Sequence, residues 1–317
     1  MTKQIWDKIK EYSTVIILRH ISPDGDAYGV QFGLKNLIVA NLPHIRVLTG
    51  GASLLDLNYI GICDDVKEED YRDALVIIGD CANAERIDGV GWEKGKYKIK
   101  IDHHPFYEQY ADLEWIDDVV PSASEMVAKL ALDNNLQVTK EAAKAIFHGM
   151  VTDTGRFLYG NLRAETFLLA NFLMTTGFNI EQLYNNLYQR PMNIIKFQAF
   201  ALSNFKVTDN GVAFLKLTPD ILKEFLITKE KANNLVNLLG SISGIHIWAF
   251  CSQDENDEFI KISIRSTGLR INDLAAKYGG GGHHRAAGVK TNSWHTVDAL
   301  LNDLNLLAKK INQSEGK

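Results

Sequence analysis

The stretch that decides the fold is residues 98–105, KIKIDHHP. A lysine-flanked apolar run stops at Asp102, His103 and His104, and a proline follows. One reading is a strand meeting a polar loop. The other is a strand that ends on a metal site. The surrounding sequence separates them. STVIILRH (13–20) is a β-branched apolar run ending at His20, and DALVIIGD (73–80) is another, ending at Asp80. HIRVLTG (44–50) reads as a short strand, and DGDAYGVQFGLKNLIVANL (24–42) as a loop running into a helix. Continuous apolar strands interleaved with helices imply an α/β fold with a mostly parallel sheet and helices on both faces.

In open parallel sheets, ligands bind at the carboxyl ends of the strands. Those ends carry His20, Asp24 and Asp26 in HISPDGDAYG, Asp80 in GDCAN, and Asp102, His103 and His104 in IDHHP. Asp153 in VTDTGRF joins them from TKEAAKAIFHGMVTD (139–153), which reads as a helix. A lone Asp at a strand end is usually a turn residue, and Asp24-Gly25 after Pro23 is a good turn by itself. Four separate acid or histidine sites, each closing an apolar element, point instead to a metal centre. Carboxylates mixed with imidazoles suit Mn²⁺ or a similar divalent ion. The donors outnumber the needs of one ion. A carboxylate shared by two ions about 3.5–4 Å apart is an arrangement used for in-line displacement at phosphorus.

The bulk composition sets limits. The chain has 317 residues, 46% of them apolar and 23% charged, which suits two ordinary globular domains. Cys63, Cys81 and Cys251 are odd in number and lack CxxC spacing. That excludes a disulfide framework and a zinc finger, and suits a reducing cytoplasm. The N-terminus, MTKQIWDKIKEYS, has no signal-peptide pattern, and no apolar run approaches a membrane span. Residues 1–190 hold 19 Lys and Arg against 27 Asp and Glu, whereas 191–317 hold 15 against 12. This is too weak a basic excess for a large nucleic-acid footprint, but it leaves room for a short phosphorylated ligand.

Beyond the first sheet, Ser122 and Glu125 form a capping-box pattern before MVAKLAL, and RAETFLLANFLMTTG (163–177) reads as a helix closed by Gly177. Residues 180–205 read as one or two helices broken near Pro191. After them VAFLKLT (212–218), HIWAFC (246–251) and EFIKISIRS (258–266) read as strands, INDLAAKYG (271–279) as a helix, and about 294–312 as a C-terminal helix. The boundaries expected are a metal-binding domain at 1–185, a helical linker at 186–206, and a smaller α/β domain at 207–317.

That second domain carries GGGGHHRAAG (279–288), preceded on a strand by Arg265 and Ser266. Glycines permit close backbone approach and anion-binding nests, and arginine grips phosphate in a bidentate way. No Lys-Ser/Thr follows, so this is no Walker A loop. Gly281, Gly282, His283, His284, Arg285, Arg265 and Ser266 are therefore the expected substrate-binding group. Arg156, close after Asp153, is divided between phosphate binding and a surface role. His44, His148, His246 and His295 read as structural or surface residues.

Taken in order, HISPDGDAYG, GDCAN, IDHHP, VTDTG, SIRS and GGGGHHRAAG resemble the DHH phosphoesterase superfamily and its associated C-terminal domain. The layout is most similar to the small oligoribonuclease/pAp-phosphatase (nanoRNase) subgroup, which includes enzymes that cleave linear diadenylate, pApA, to AMP. The resemblance implies two Mn²⁺ ions, with Mg²⁺ or Co²⁺ as substitutes. His20, Asp24 and Asp80 would hold one ion. Asp26, Asp80, His103 and Asp153 would hold the other, with Asp80 bridging. Asp102 would orient its neighbours, and His104 would act on the scissile phosphate. Val30 departs from the small hydroxyl residue of many relatives, and His284 and Arg285 are not fixed features of the pattern.

The implied activity is hydrolysis of short RNA or DNA oligonucleotides and linear dinucleotides such as pApA to mononucleotides, with 3′-phosphate removal from pAp as a second activity. The implied partners exclude membranes and long duplexes, and a homodimer is expected by family analogy only. The alternative is a manganese-dependent inorganic pyrophosphatase, but its expected SRKK-type cluster is missing here. A RecJ-type exonuclease on long single strands would need a further domain. A nucleotide sensor would have lost metal ligands, and every such position here is occupied.

Overall fold

The computed structural model describes residues 1–158, 161–255 and 258–315. The chain divides into two compact units, Met1–Tyr188 and Gln189–Lys317.

In the first unit the elements run α1 (Thr2–Ile9), β1 (Thr14–Leu18), α2 (Gly25–Asn41), β2 (Arg46–Thr49), β3 (Leu75–Gly79), β4 (Tyr97–Asp102), β5 (Leu113–Ile116), α3 (Ala123–Asp133), α4 (Lys140–Asp153), α5 (Ala164–Met174) and α6 (Ile180–Tyr188). Among the described residues the strands form one sheet in the order β2-β1-β3-β4-β5, parallel throughout. The order reverses at β1, so a crevice opens between the carboxyl ends of β1 and β3. Period-two alternation divides each strand between the two faces. Val15, Ile17, Leu75, Ile77, Ile99 and Ile101 join the core under the α-helices. Ile16, Leu18, Val76 and Ile78 enter a second core with Tyr71, Cys81 and Ile87. That face is crossed by 3₁₀ turns at Glu68–Tyr71, Ala84–Arg86 and Trp92–Lys94. The fifth strand, β5, adds to the four strands read from sequence; none of its residues is fully buried, so its apolar signal is weak.

Helices α2 and α4 pack closely where both carry glycine. A Cβ on Gly29 would stand 2.9 Å from the Ala145 carbonyl and from the Gly149 Cα. A Cβ on Gly149 would run into the Ser124 side chain and come within 2.8 Å of Asp26 Oδ1. The two helices thereby bring Asp26, near the start of α2, close to Asp153, at the end of α4.

In the second unit, α7 (Met192–Asn204), β6 (Lys206–Val207), β7 (Val212–Leu217), α8 (Pro219–Glu224), α9 (Lys229–Asn234), β8 (Ile247–Gln253), β9 (Ile260–Ser266), α10 (Asn272–Lys277), β10 (Gly281–His283), β11 (Ala286–Thr291) and α11 (Trp294–Glu315) follow. The sheet order is β10-β11-β9-β8-β7-β6, with β7 and β8 parallel and the other pairs antiparallel. Ile260, Ile262 and Ile264 face a core with Val297, Leu300 and Leu304 of α11. Ala213, Leu215, Trp248 and Phe250 face another, which includes Phe197 and Ala201 of α7. No helix among the described residues is long and apolar enough to cross a membrane.

Candidate metal centre

The backbone leaving β1, β3 and β4 delivers the donors to the mouth of the crevice. His20 follows β1 and is buried, and its Nδ1 lies 2.8 Å from the Ile21 carbonyl. A proton on Nδ1 would satisfy that carbonyl and leave Nε2 as the lone-pair atom, while the Arg86 guanidinium, a donor only, stands farther off at 3.3 Å from the same Nδ1. That Nε2 stands 3.6 Å from Asp80 Oδ2 and 3.9 Å from Asp24 Oδ2. Asp24 also caps α2, its Oδ1 accepting from the Asp26 and Ala27 N–H groups at 3.0 and 3.1 Å.

Asp80 sits one residue past β3 in a left-handed conformation, φ +53°, unusual for a residue with a Cβ. Strain of this kind clusters at functional sites. His103 Nε2 is 3.5 Å from Asp80 Oδ1, 3.2 Å from Asp153 Oδ2 and 3.9 Å from Asp26 Oδ2. Its Nδ1 points to the Val120 carbonyl at 3.4 Å, the same orientation logic as at His20. Asp26 is held by the N-terminus of α3. Its Oδ2 accepts from the Ala123 N–H at 2.7 Å and its Oδ1 from the Ser124 N–H at 2.9 Å. These exposed-dipole N–H groups favour a carboxylate. Ser122 caps α3 through the Glu125 N–H, but the Glu125 carboxylate pairs with Arg163 at 2.7 Å instead of completing a capping box.

Three overlapping groups of donor atoms result, each with its atoms within 4.8 Å of one another: His20, Asp24 and Asp80; Asp26, His103 and Asp153; and Asp80, His103 and His104. Asp80 and His103 each belong to two of them. The electrostatics fit a cation. Burial, followed by the charges of Asp26 and Asp24, lifts the Asp80 carboxyl well above the usual range. Burial, followed by the charges of Asp26, Asp80 and Asp24, pushes Asp153 up to about 9. Asp80 Oδ1 is buried without a hydrogen-bond donor among the described residues. Four carboxylates crowded together, one with a buried unpaired oxygen, form a set that divalent ions satisfy.

His104 is oriented differently. Its Nδ1 lies 2.8 Å from Asp102 Oδ1, so it donates there. The Asp102 bond raises the His104 pKa, against the opposing effect of burial. Burial alone would raise Asp102. The His104 hydrogen bond and charge, with the Lys100 ammonium, outweigh it and hold Asp102 below the usual carboxylate range. Lys100 is fully buried. Its Nζ donates to the Ala82 carbonyl at 2.8 Å and stands 4.5 Å from the centre of the Tyr110 ring. The sequence reading did not single it out.

Comparisons with known proteins identify the family. Residues 14–150 match the DHH family, N-terminal domain, and 210–310 match the DHHA1 domain. A bifunctional oligoribonuclease and PAP phosphatase, NrnA, of Bacillus subtilis (strain 168) is 38% identical over 313 residues, spanning 98% of this chain and 99% of its own. The chain belongs to the DHH family. A probable NrnA of the same description from Streptococcus mutans is 36% identical over 307 residues, spanning 97% of this chain and 99% of its own. Among solved structures, an exopolyphosphatase-related protein from Bacteroides fragilis superposes with a TM-score of 0.85 at 25% identity, covering 97% of each chain.

In the DHHA1 domain the expected substrate residues divide. His283, Ala286 and Arg265 are register partners across β10, β11 and β9, so His283 and Arg265 lie on one face of the sheet, about 10 Å apart for two strand spacings. His283 and Arg285 are exposed. Gly281 and Gly282 are drawn into the edge strand β10. A Cβ on Gly282, at φ +136°, would clash with the Ala286 carbonyl. His284 Nδ1 lies 3.4 Å from Asn272 Oδ1. Ser266 is buried, and its hydroxyl donates to the Leu269 carbonyl at 2.6 Å. In the DHH domain, Arg156 is exposed at φ +71° with its guanidinium 5.7 Å from the Tyr188 ring centre.

Proposed function

We propose that the chain is a Mn²⁺-dependent phosphodiesterase of the cytoplasm that cleaves short oligonucleotides and linear dinucleotides such as pApA to mononucleotides, and removes the 3′-phosphate of pAp. That it is a hydrolase of phosphate esters follows from its family and from relatives named oligoribonuclease and PAP phosphatase. The observation that carries the finer reading is the sharing of Asp80 between donor groups at the switch point of the sheet. The cytoplasmic assignment is supported by three cysteines that form no disulfide.

His20, Asp24 and Asp80 would hold one ion, and Asp26, Asp80, His103 and Asp153 the other. Hard carboxylates with imidazoles suit Mn²⁺, with Mg²⁺ or Co²⁺ as substitutes. Ions bound there supply Lewis acidity to phosphate oxygens and a water acidic enough to lose its proton near neutral pH. The chain's own residues do the rest. Asp102, kept ionised by Lys100 and His104, fixes the His104 ring and stabilises its charged form. A charged His104 carries a second N–H at Nε2, able to stabilise a phosphoryl oxygen or protonate the leaving oxygen. Arg265 and His283, on one face of the DHHA1 sheet, are assigned to a substrate phosphate, with Arg285, Gly281 and Gly282 beside them. Ser266 and His284 then shape this group through their bonds to Leu269 and Asn272, and Arg156 is assigned to a phosphate near Asp153.

The test is turnover of pApA, pAp, a 5-mer RNA and pyrophosphate side by side with Mn²⁺. Mononucleotide release from pApA and the 5-mer is expected. Release from neither, or fast phosphate release from pyrophosphate alone, overturns the assignment.

A further inference from the structure

Phe106 and Tyr107 follow Pro105 directly, and their side chains are 66% and 72% exposed. Aromatic rings stabilise a fold by burial, so two adjacent rings left in water call for another reason. They do not sit on a loose tip. Upstream, the His104 ring is bonded to Asp102. Downstream, Glu108 accepts from the Ala84 N–H at 2.6 Å, and the Tyr110 hydroxyl donates to the Cys81 carbonyl at 2.5 Å. Glu114 accepts from the Tyr110 and Ala111 N–H groups at 2.9 and 3.0 Å. Pro105 restricts the backbone between these anchors. Both downstream bonds to Cys81 and Ala84 reach the segment that leaves Asp80. The rings are therefore presented on a pinned segment at the rim of the crevice. At 3.8 Å per Cα step, the Phe106 Cα lies within about 7.6 Å of the His104 Cα and the Tyr107 Cα within about 11.4 Å. These upper limits are short enough for a base attached to a phosphate at His104 to meet the rings.

We propose that Phe106 and Tyr107 form a stacking platform for the nucleobase next to the scissile phosphate. The inference rests on the oligonucleotide reading above. Every base has a π-face, so a ring accepts each of them without reading sequence. Stacking also needs an unpaired base, which suits short single strands and disfavours duplexes. The platform gives the DHH domain a contact to the base where the donor cluster contacts only phosphate.

Two measurements test it. In the first, kcat/KM for pApA is divided by that for the same backbone lacking both bases. Phe106→Ala or Tyr107→Ala, or the pair together, lowers this ratio about tenfold or more, and Phe106→Trp restores it. In the second, Phe106→Trp or Tyr107→Trp gains an emission component that AMP quenches and ribose 5-phosphate does not. That readout needs no turnover. An unaltered ratio in all three alanine variants, or equal quenching by AMP and ribose 5-phosphate, overturns the platform. A parent enzyme that fails to cleave pApA overturns the oligonucleotide reading instead, and AMP quenching then decides the platform alone.

Discussion

Lys100 and Asp102 lie on the same face of β4, both fully buried, with Nζ 3.5 Å from Oδ2. Two residues apart on a strand, they point the same way. The pair sits beneath the histidine that the proposed reaction uses, because Asp102 Oδ1 holds His104. Removing one partner of a buried ion pair leaves an uncompensated charge and costs about 3–5 kcal/mol. Lys100→Met is expected to lose stability on that scale in urea unfolding and to lower kcat through a misplaced His104. The double variant with Asp102→Asn should recover part of the stability, since no buried charge is then stranded. Strict additivity in the double-mutant cycle would refute the coupling.

Asp80 is expected to trade stability for function. It is a buried carboxylate among other carboxylates, in a left-handed backbone that Asn adopts more readily than most residues. Asp80→Asn removes the repulsion and gives an amide that can donate to its acidic neighbours. Metal-free protein should melt a few degrees higher, and Mn²⁺-dependent turnover should vanish. Turnover at the parent rate would remove Asp80 from the bridging role.

The stabilisation by metal should rise with pH. Asp153 has its folded pKa raised to about 9, first by burial and then by its acidic neighbours, against an ordinary value of 3.8. A carboxyl raised in this way favours the folded state below the ordinary value, and the benefit is lost as pH climbs toward about 9. Metal-free protein is penalised in that window. Metal binding needs these ligands deprotonated, so it gains where protons are scarce. The Tm difference between Mn²⁺-loaded and chelator-treated protein should widen from pH 6 to pH 8.5. A constant difference would show that the Asp153 cluster does not bind the metal.

The strands and their polar ends were legible because an apolar run that stops at an acid or histidine is a local pattern. Each donor is local to its own strand end, and topology alone collects them. What supports the donors was not legible, because the partners lie far along the chain. Lys100 lies in a run that reads as an apolar strand, and its partners, the Ala82 carbonyl and the Tyr110 ring, come from other segments. Asp26 reads as a loop residue, yet the N–H groups of Ala123 and Ser124 hold it. Ser122 and Glu125 fit a capping box, but Arg163 claims the glutamate. The glycine run gave no strand signal, since glycine has no β preference, and β10 forms only through its pairing with β11.

His148, read from sequence as a scattered histidine, gives the metal loop a dependence on acid. It is fully buried on α4, with Nε2 2.7 Å from the Tyr59 hydroxyl and Nδ1 3.3 Å from the Gly25 carbonyl, between Asp24 and Asp26. Burial pushes its pKa down to about 4, against the Gly25 bond and the Asp24 charge, which pull it up. A histidine depressed in the folded state contributes stability that is complete above its ordinary value of 6.5 and is lost as pH falls through about 4. The two values imply that about 2 kcal/mol is lost between pH 7.5 and pH 5, because the unfolded chain takes up the proton and the folded one resists it. His148→Gln keeps a polar group beside Tyr59 but cannot titrate. In urea unfolding of metal-free protein, the parent should lose about 2 kcal/mol more than His148→Gln over that interval. Titrations common to both proteins cancel in the difference. Equal losses would mean that His148 is already charged at pH 5 and that the Tyr59–His148–Gly25 contact does not depend on a neutral ring.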